Sequence, residues 1–246
     1  MLKAEQFYDA LADDYDAMTS FQDRLATQRG VLTTLLEQLP ATQVVDMGCG
    51  TGVHAIALAQ LGLAVTAVDI SGGMLEKARR HAADASVSLR FLHGDFLTPI
   101  GETPADLLLC LGNSLPHLPS LTALTDILKH WRTLLTNEGH VVIQLLNYKR
   151  IIREGKRIVN IRRDGDRLLV RFYDFMEQQL RFNILAIQEE NGAFTHELRS
   201  TLLTAFTEQN IIEAAFEAGF GSVHSYGSLL LTPFTGKETD LVLLLH

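Results

Sequence analysis

The run Val44-Val45-Asp46-Met47-Gly48-Cys49-Gly50-Thr51-Gly52 constrains the rest of the chain more than any other stretch. Two β-branched residues and an acid lead into three glycines at alternate positions, and an Ala/Leu-rich helical run, Val53 to Leu61, follows. A buried strand that turns at once into a helix is the reading. Glycines admit positive φ and remove the Cβ atoms that would hold a ligand off the backbone, while a helix start offers unpaired N–H groups. Such a junction is a nucleotide site. The dinucleotide fingerprint is G-x-G-x-x-G, and the spacing here is G-x-G-x-G with Asp46 in the strand just before it.

This run resembles the first motif of class I S-adenosylmethionine-dependent methyltransferases, (D/E)-x-G-x-G-x-G, matched by Asp46, Gly48, Gly50 and Gly52. The resemblance implies an α/β, Rossmann-like fold: a seven-stranded, mostly parallel sheet with helices on both faces. It also implies S-adenosyl-L-methionine as cofactor, with the loop, Cys49 included, against its methionine part and Asp46 toward its amino group.

Further strand ends extend the pattern. Ala64 to Val68 reads as a second strand ending in Asp69, an acid placed to accept both ribose hydroxyls; Asp69 also reads as a cap for the amphipathic run from Ser71 through Met74, Leu75 and Ala78. Dinucleotide enzymes use an acid there too, so Asp69 does not discriminate. The resemblance places Ile70 and Met74 beside the cofactor as well. A third strand, Val87 to Leu92, delivers Gly94-Asp95-Phe96, where the family has an acid on the adenine amino group and an apolar cover for the ring. A turn aspartate beside a core phenylalanine is the bland alternative. Asp106 to Leu111 is a continuous apolar run, a strand buried on both faces. It carries Leu111-Gly112-Asn113-Ser114 and His117-Leu118-Pro119 to the ligand edge, similar to the fourth motif of glycine and sarcosine N-methyltransferases. That likeness sets Leu111 at the sulfonium and Asn113 at a substrate amine. His117 is a candidate general base, or a plain loop histidine.

Ahead of the first strand, residues 1–38 read as helices: Phe7, Tyr8, Leu11 and Tyr15 share one helical spacing, and Val31 to Leu39 another before Pro40. In the resembled family such a segment, here 1–40, closes over the cofactor. Tyr15 then bonds the cofactor carboxylate and takes part in catalysis, and Arg24 or Arg29 pairs with that carboxylate. An aromatic stripe on the core and solvated arginines are the plainer readings.

Past the helix Leu121 to Leu135, Asn137-Glu138-Gly139 is expected to turn the chain into a strand, His140 to Leu146. Residues 41–148 and 206–246 are then the cofactor-binding core, interrupted by an antiparallel β-meander over 149–205 that walls the site. Its strands are Lys156 to Arg163, Arg167 to Phe175, Glu177 to Gln188 and Ala193 to Ala205, with hairpin turns at Asp164-Gly165-Asp166 and Asn191-Gly192. Residues 149–181 hold ten Lys and Arg against five Asp and Glu, net +5, leaving eleven against twenty-four, or −13, elsewhere. That basic stretch either draws an anionic substrate or solvates a sheet face. Where glycine N-methyltransferases have a carboxylate-gripping arginine before Asn-Tyr, this chain has Leu146. Glycine is therefore a poor expectation as substrate unless Arg157, Arg171, Arg181 or Arg199 reaches in. The tail supplies the helix Thr207 to Ala218 and strands Ser222 to Leu231 and Leu241 to Leu245. The resemblance gives strand order 3-2-1-4-5-7-6, the last strand antiparallel.

Composition bounds the rest. A chain of 246 residues, 47% hydrophobic, suits one large α/β domain with an insertion. The net charge of −8 argues against nucleic acid as a partner. The two cysteines, Cys49 and Cys110, lie in apolar contexts with no metal or disulfide spacing, which fits a reducing cytoplasm and no metal site. No apolar run reaches the ~18 residues of a membrane span, and no signal-peptide pattern opens the chain. The expectation is a cytoplasmic enzyme, monomer or homodimer, that moves a methyl group by direct displacement to a small-molecule amine. Open beside it stand a small-molecule O-methyltransferase, a non-catalytic cofactor-binding regulator and a nicotinamide-dependent oxidoreductase.

Overall fold

The computed structural model describes residues 1–177, 179–190 and 192–246, without the side chains of Asp13, Asp16, Ala17, Met18, Asp164 and Glu190. In the first part of the chain five strands are interleaved with helices, except that β3 passes to β4 without one: β1 Gln43–Met47, α3 Val53–Gln60, β2 Ala64–Asp69, α4 Gly72–Asp84, β3 Arg90–His93, β4 Ala105–Cys110, α5 Leu121–Leu134 and β5 Leu135–Leu146. Two helices precede them, α1 Ala4–Thr19 and α2 Phe21–Gln38, broken at Ser20 with φ 54°. After β5 come α6 Tyr148–Glu154, β6 Ile158–Asp164, β7 Arg167–Phe175, β8 Gln179–Glu190, β9 Ala193–Thr204, α7 Glu208–Glu217, β10 Val223–Tyr226 and β11 Asp240–Leu245.

The main sheet runs β10-β11-β5-β4-β1-β2-β3. Its β1–β5 pairs are parallel, and β11 is antiparallel to both β5 and β10. This is the order expected from the sequence. Successive strand residues face opposite sides, so Val45, Leu108 and Ile143 pack with α5 and α7 while Val44, Leu107 and Val142 pack with α2 and α3. Both faces are thus covered, which is why these strands read as unbroken apolar runs. A second, four-stranded antiparallel sheet runs β6-β7-β8-β9.

Four local expectations are corrected. Val87 to Leu89 do not join β3, because the Ser86 and Val87 amides turn back onto Ala83 and Ala82 and close α4. Asn137-Glu138-Gly139 is no separate turn: β5 already begins at Leu135, paired with Ala105, and these residues bulge before His140 pairs with Leu107. A Cβ at Gly139 would stand 3.0 Å from the Ala105 carbonyl, so glycine fits there. The insertion opens with a helix, α6, capped by Asn147 accepting the Arg150 amide. The strand expected over Ser222 to Leu231 stops at Tyr226, where the Gly227 amide donates to the Thr232 carbonyl and Tyr226 bridges Pro233. The hairpin turn read at Asn191-Gly192 includes Asn191, outside the described residues.

Candidate active site

The glycine loop is held by β2 before any ligand is considered. The amides of Gly48 and Cys49 donate to the Val68 carbonyl at 2.8 and 3.0 Å, and the Gly50 amide donates to Asp69 Oδ2 at 2.7 Å. Gly48, Gly50 and Gly52 all have positive φ, at 77°, 55° and 87°. At Gly48 the requirement is also steric, since a Cβ there would meet Ser114 at 2.9 Å.

Above the loop lies a cavity of about 400 Å³, a size suited to a nucleotide-like ligand. Of the residues singled out in the sequence, Gly48, Cys49 and Gly50 form its floor, Asp69, Ile70 and Met74 one wall, and Gly94, Asp95 and Phe96 another. Leu111 and His117 close the side beyond β4, and Tyr15 and Arg24 reach in from α1 and α2. Arg29 is exposed on α2 and absent from the lining.

Three expected residues stand behind the lining. Gly52 caps α3, where a Cβ would press on Ala78 at 3.1 Å, so it brings α3 close to α4. Asn113 accepts the Leu146 amide at 3.0 Å and donates to the Tyr148 hydroxyl at 2.8 Å, its amide spent on joining β4 to β5. Asp46 is 1% exposed beneath the loop, and neither carboxylate oxygen makes a well-formed hydrogen bond to the described residues; the Ala55 amide alone lies near enough to hold its pKa down in part. Burial, then the nearby Asp69 charge, pushes its pKa up to about 7.

Asp69 Oδ1 accepts the Ser71 amide and Oδ2 the Gly50 amide. A carboxylate offers about four lone-pair sites, so both oxygens retain capacity toward the cavity. Burial raises the Asp69 pKa against these two bonds, which oppose the shift. Asp95 Oδ1 takes the Leu97 amide at 2.9 Å. Phe96 stands edge-on to buried Trp131, whose indole N–H donates to the Phe96 carbonyl at 2.9 Å, fixing this corner.

Several residues that line the cavity were not singled out as site residues in the sequence. Tyr8 lines the cavity and sets its hydroxyl 3.0 Å from His117 Nε2, with the rings in an edge contact. Burial pushes the Tyr8 hydroxyl pKa up and lowers that of His117 to about 4, so both are neutral near pH 7. His117 Nδ1 is buried without a partner among the described residues. His54, at the start of α3, also lines the cavity, its pKa lowered to about 3 by burial and then by the Arg24 charge. Asp126 on α5 adds a third carboxylate to the wall. Tyr8 and Tyr15 lie seven residues apart on one helix face, so the shared spacing read in the sequence, with Tyr15 expected at the cofactor, could have carried Tyr8 to the same cavity; Asp126 carried no signal.

The helix α1 is pinned from two sides. Asp9 accepts the Ser71 hydroxyl at 2.6 Å and the Gly73 amide at 3.1 Å on α4, while Asp14 pairs with Arg199 at 3.0 Å and with Arg167. No insertion residue lines the cavity among the described residues. Arg157 pairs with Asp174, and Arg171 bonds Asn160.

Fold and site together define a class I methyltransferase architecture, and comparison with known proteins agrees. Residues 44–139 match the methyltransferase domain family. The chain is 29% identical over 152 residues to a glycine/sarcosine N-methyltransferase of Aphanothece halophytica, covering 61% of this chain and 57% of the relative. It is 33% identical over 147 residues to glycine N-methyltransferase of Rattus norvegicus, covering 54% and 50%. The chain thus spans about half the length of the curated relatives it matches. Among solved structures, the CcbJ methyltransferase from Streptomyces caelestis superposes with a TM-score of 0.81 at 22% identity, over 98% of this chain and 97% of that one. Residues 44–139 are thus similar to a methyltransferase domain, and the whole chain shares the fold of a solved methyltransferase. No described helix is long and apolar enough to cross a membrane.

Proposed function

We propose that this protein transfers a methyl group from S-adenosyl-L-methionine to a small-molecule amine. The observation that carries the reading is one cavity onto which the glycine-loop backbone, Asp69, Asp95 and Phe96 converge. Its chemistry fits the group: acceptors at Asp69 suit vicinal ribose hydroxyls, Asp95 suits the adenine amino group, and Phe96 suits the flat ring. Arg24 and Tyr15 suit a carboxylate, and Asp46, a buried acid near the Ala55 amide, suits the amino group of the methionine part. When bound, the cofactor supplies an already activated sulfonium methyl.

What remains for the protein is to align the acceptor, exclude water and keep the nucleophile unprotonated. Residues 1–40 act as the cover, bringing Tyr8, Tyr15 and Arg24 over the cavity. Residues 41–148 and 206–246 form the cofactor-binding core, and 149–205 brace α1 from outside through Asp14. The Tyr8–His117 pair orients the acceptor, and a neutral His117 props the pocket without carrying charge into it. Asn113 acts as a positioning residue for the loop beyond β4. Leu146 offers no charge to a carboxylate, which argues against glycine. The O-methyl reading stays in view because a ubiquinone biosynthesis O-methyltransferase of Xanthomonas campestris is 32% identical over 111 residues, covering 44% of this chain and 45% of that relative.

Calorimetry with S-adenosylhomocysteine against NAD tests the cofactor. Binding of the first is expected, weakened by about 1–3 kcal/mol in Asp69→Ala; NAD binding alone, or an unchanged dissociation constant in the variant, overturns the assignment. Mass-spectrometric screening of amines and phenols for a gain of one methyl then decides the acceptor.

A further inference from the structure

Strand β5 is apolar from Val141 to Leu146 except at Gln144. A polar side chain in a strand covered on both faces needs partners. Gln144 has two. Its Oε1 accepts the Gly112 amide at 3.3 Å, and its Nε2 donates at 2.8 Å to Oδ2 of Asp240, the first residue of β11. Neither Gln144 nor Asp240 lines the cavity.

One orientation of the Gln144 amide satisfies both neighbours. A backbone N–H can only donate and an ionised carboxylate can only accept, so the NH2 group must face Asp240 and the oxygen must face Gly112. With the amide turned over, two donors would meet at Gly112 and two acceptors at Asp240. Burial raises the Asp240 pKa and the Gln144 bond opposes that rise, so the carboxylate charge and the amide orientation support each other.

What Gln144 holds is a left-handed corner of the cavity wall. Just past the end of β4, Gly112 and Asn113 take φ of 70° and 68° in succession. Packing does not force this on Gly112, since a Cβ there would meet nothing within 4 Å. Bonds to β5 hold the corner instead: the Gly112 amide to the Gln144 side chain, and the Asn113 amide to the Gln144 carbonyl at 3.2 Å. The same loop carries Leu111, Ser114 and His117 to the cavity.

We propose, building on the methyl-transfer reading above, that Gln144 and Asp240 are positioning residues for the transfer. The Asp240 carboxylate orients the Gln144 amide, and the amide oxygen fixes Gly112 and with it the loop that faces the acceptor. A misplacement of about 1 Å at a reacting pair costs on the order of 100-fold in rate. Cofactor affinity rests mainly on groups elsewhere, at the glycine loop, Asp69 and Asp95, and so depends less on this corner.

The test uses the full chain, S-adenosylmethionine and the first amine that gains a methyl group in the mass-spectrometric screen. Gln144→Leu, which removes both side-chain bonds, is expected to lower kcat by ~10-fold or more while the dissociation constant of S-adenosylhomocysteine moves less than about 3-fold. Gln144→Glu alone, at about pH 8, sets two carboxylates against each other and is expected to be equally impaired. Gln144→Glu combined with Asp240→Asn restores an acceptor for Gly112 and a donor between the two side chains, and kcat is expected to return toward the parent. The Gly112 amide cross-peak in NMR spectra of the ligand-free chain is expected to shift in Gln144→Leu and to return in the combined variant. A parent chain that transfers methyl while Gln144→Leu matches it in kcat overturns the proposal alone, as does a combined variant that is not rescued or a Gly112 cross-peak that does not move. A parent chain that binds S-adenosylhomocysteine and methylates nothing overturns the methyl-transfer reading and this proposal with it.

Discussion

The two halves of the cavity are built in different ways. The proposed cofactor side consists of backbone and carboxylates at the ends of adjacent parallel strands, each fixed within a few residues of its strand: Gly48 to Gly50 after β1, Asp69 at the end of β2, Asp95 after β3. The proposed acceptor side is assembled from distant parts of the chain. Tyr8 and His117 are 109 positions apart, and the helix carrying Tyr8 is held by Asp9 on the core and Asp14 on the insertion. Local geometry secures the first half and tertiary packing the second. Substitutions should therefore separate binding of the cofactor from turnover of the acceptor.

The largest expected effect is on the cofactor side. In Gly48→Val the new side chain meets Ser114 at a distance no real Cβ tolerates, in a left-handed conformation that costs a further 1–2 kcal/mol or so. Affinity for S-adenosylhomocysteine should fall by about 100-fold or more in calorimetry, with the fold retained by circular dichroism. Near-normal affinity would mean that the loop backbone is not the cradle.

A smaller effect, confined to the other half, is expected for Tyr8→Phe. It removes the hydroxyl facing His117 while keeping the ring packed on Phe7. One hydrogen bond to a neutral group is worth about 0.5–1.5 kcal/mol, so kcat should drop by up to ~10-fold with homocysteine-adduct affinity unchanged. Equal losses in affinity and kcat would erase the division between the halves.

The same division explains what was legible in the sequence. The glycine loop, Asp69 and the Asp95-Phe96 pair stood out because each motif is contiguous and sits where an apolar strand ends; the strand order came only from the resemblance that these motifs carry. Tyr8 and His54 did not, since a tyrosine or histidine in a helix gains a role only when its neighbours across the fold are known. Asn113 was read toward the substrate from its place in a motif, whereas the Leu146 amide and the Tyr148 hydroxyl, more than thirty positions away, hold its side chain. The bulge in β5 was hidden for a related reason: Asn-Glu-Gly reads as a turn unless the pairing of Leu135 with Ala105 is known.

Asp46 lies at the seam, visible in the motif yet perturbed by its burial, and it gives the smallest and most diagnostic effect. An ordinary aspartate titrates near 3.8, and burial raises Asp46 to about 7 in the folded chain. Its contribution to stability is thus fully present below about pH 4 and lost as the pH rises through 7. His54 and His117, lowered to about 3 and about 4, act in the opposite sense and cost stability as the pH falls below 6.5. They are common to both proteins when Asp46→Asn is compared with its parent. The variant should therefore gain on the parent as the pH goes from 5.5 to 8, by an amount on the order of 2 kcal/mol, in ligand-free thermal melts. S-adenosylhomocysteine keeps the methionine ammonium that Asp46 is expected to face, so it should lose about as much affinity as S-adenosylmethionine in the same variant. A stability gap that does not change with pH would show that Asp46 stays charged and partnered in solution, and would remove it from the cationic end of the site.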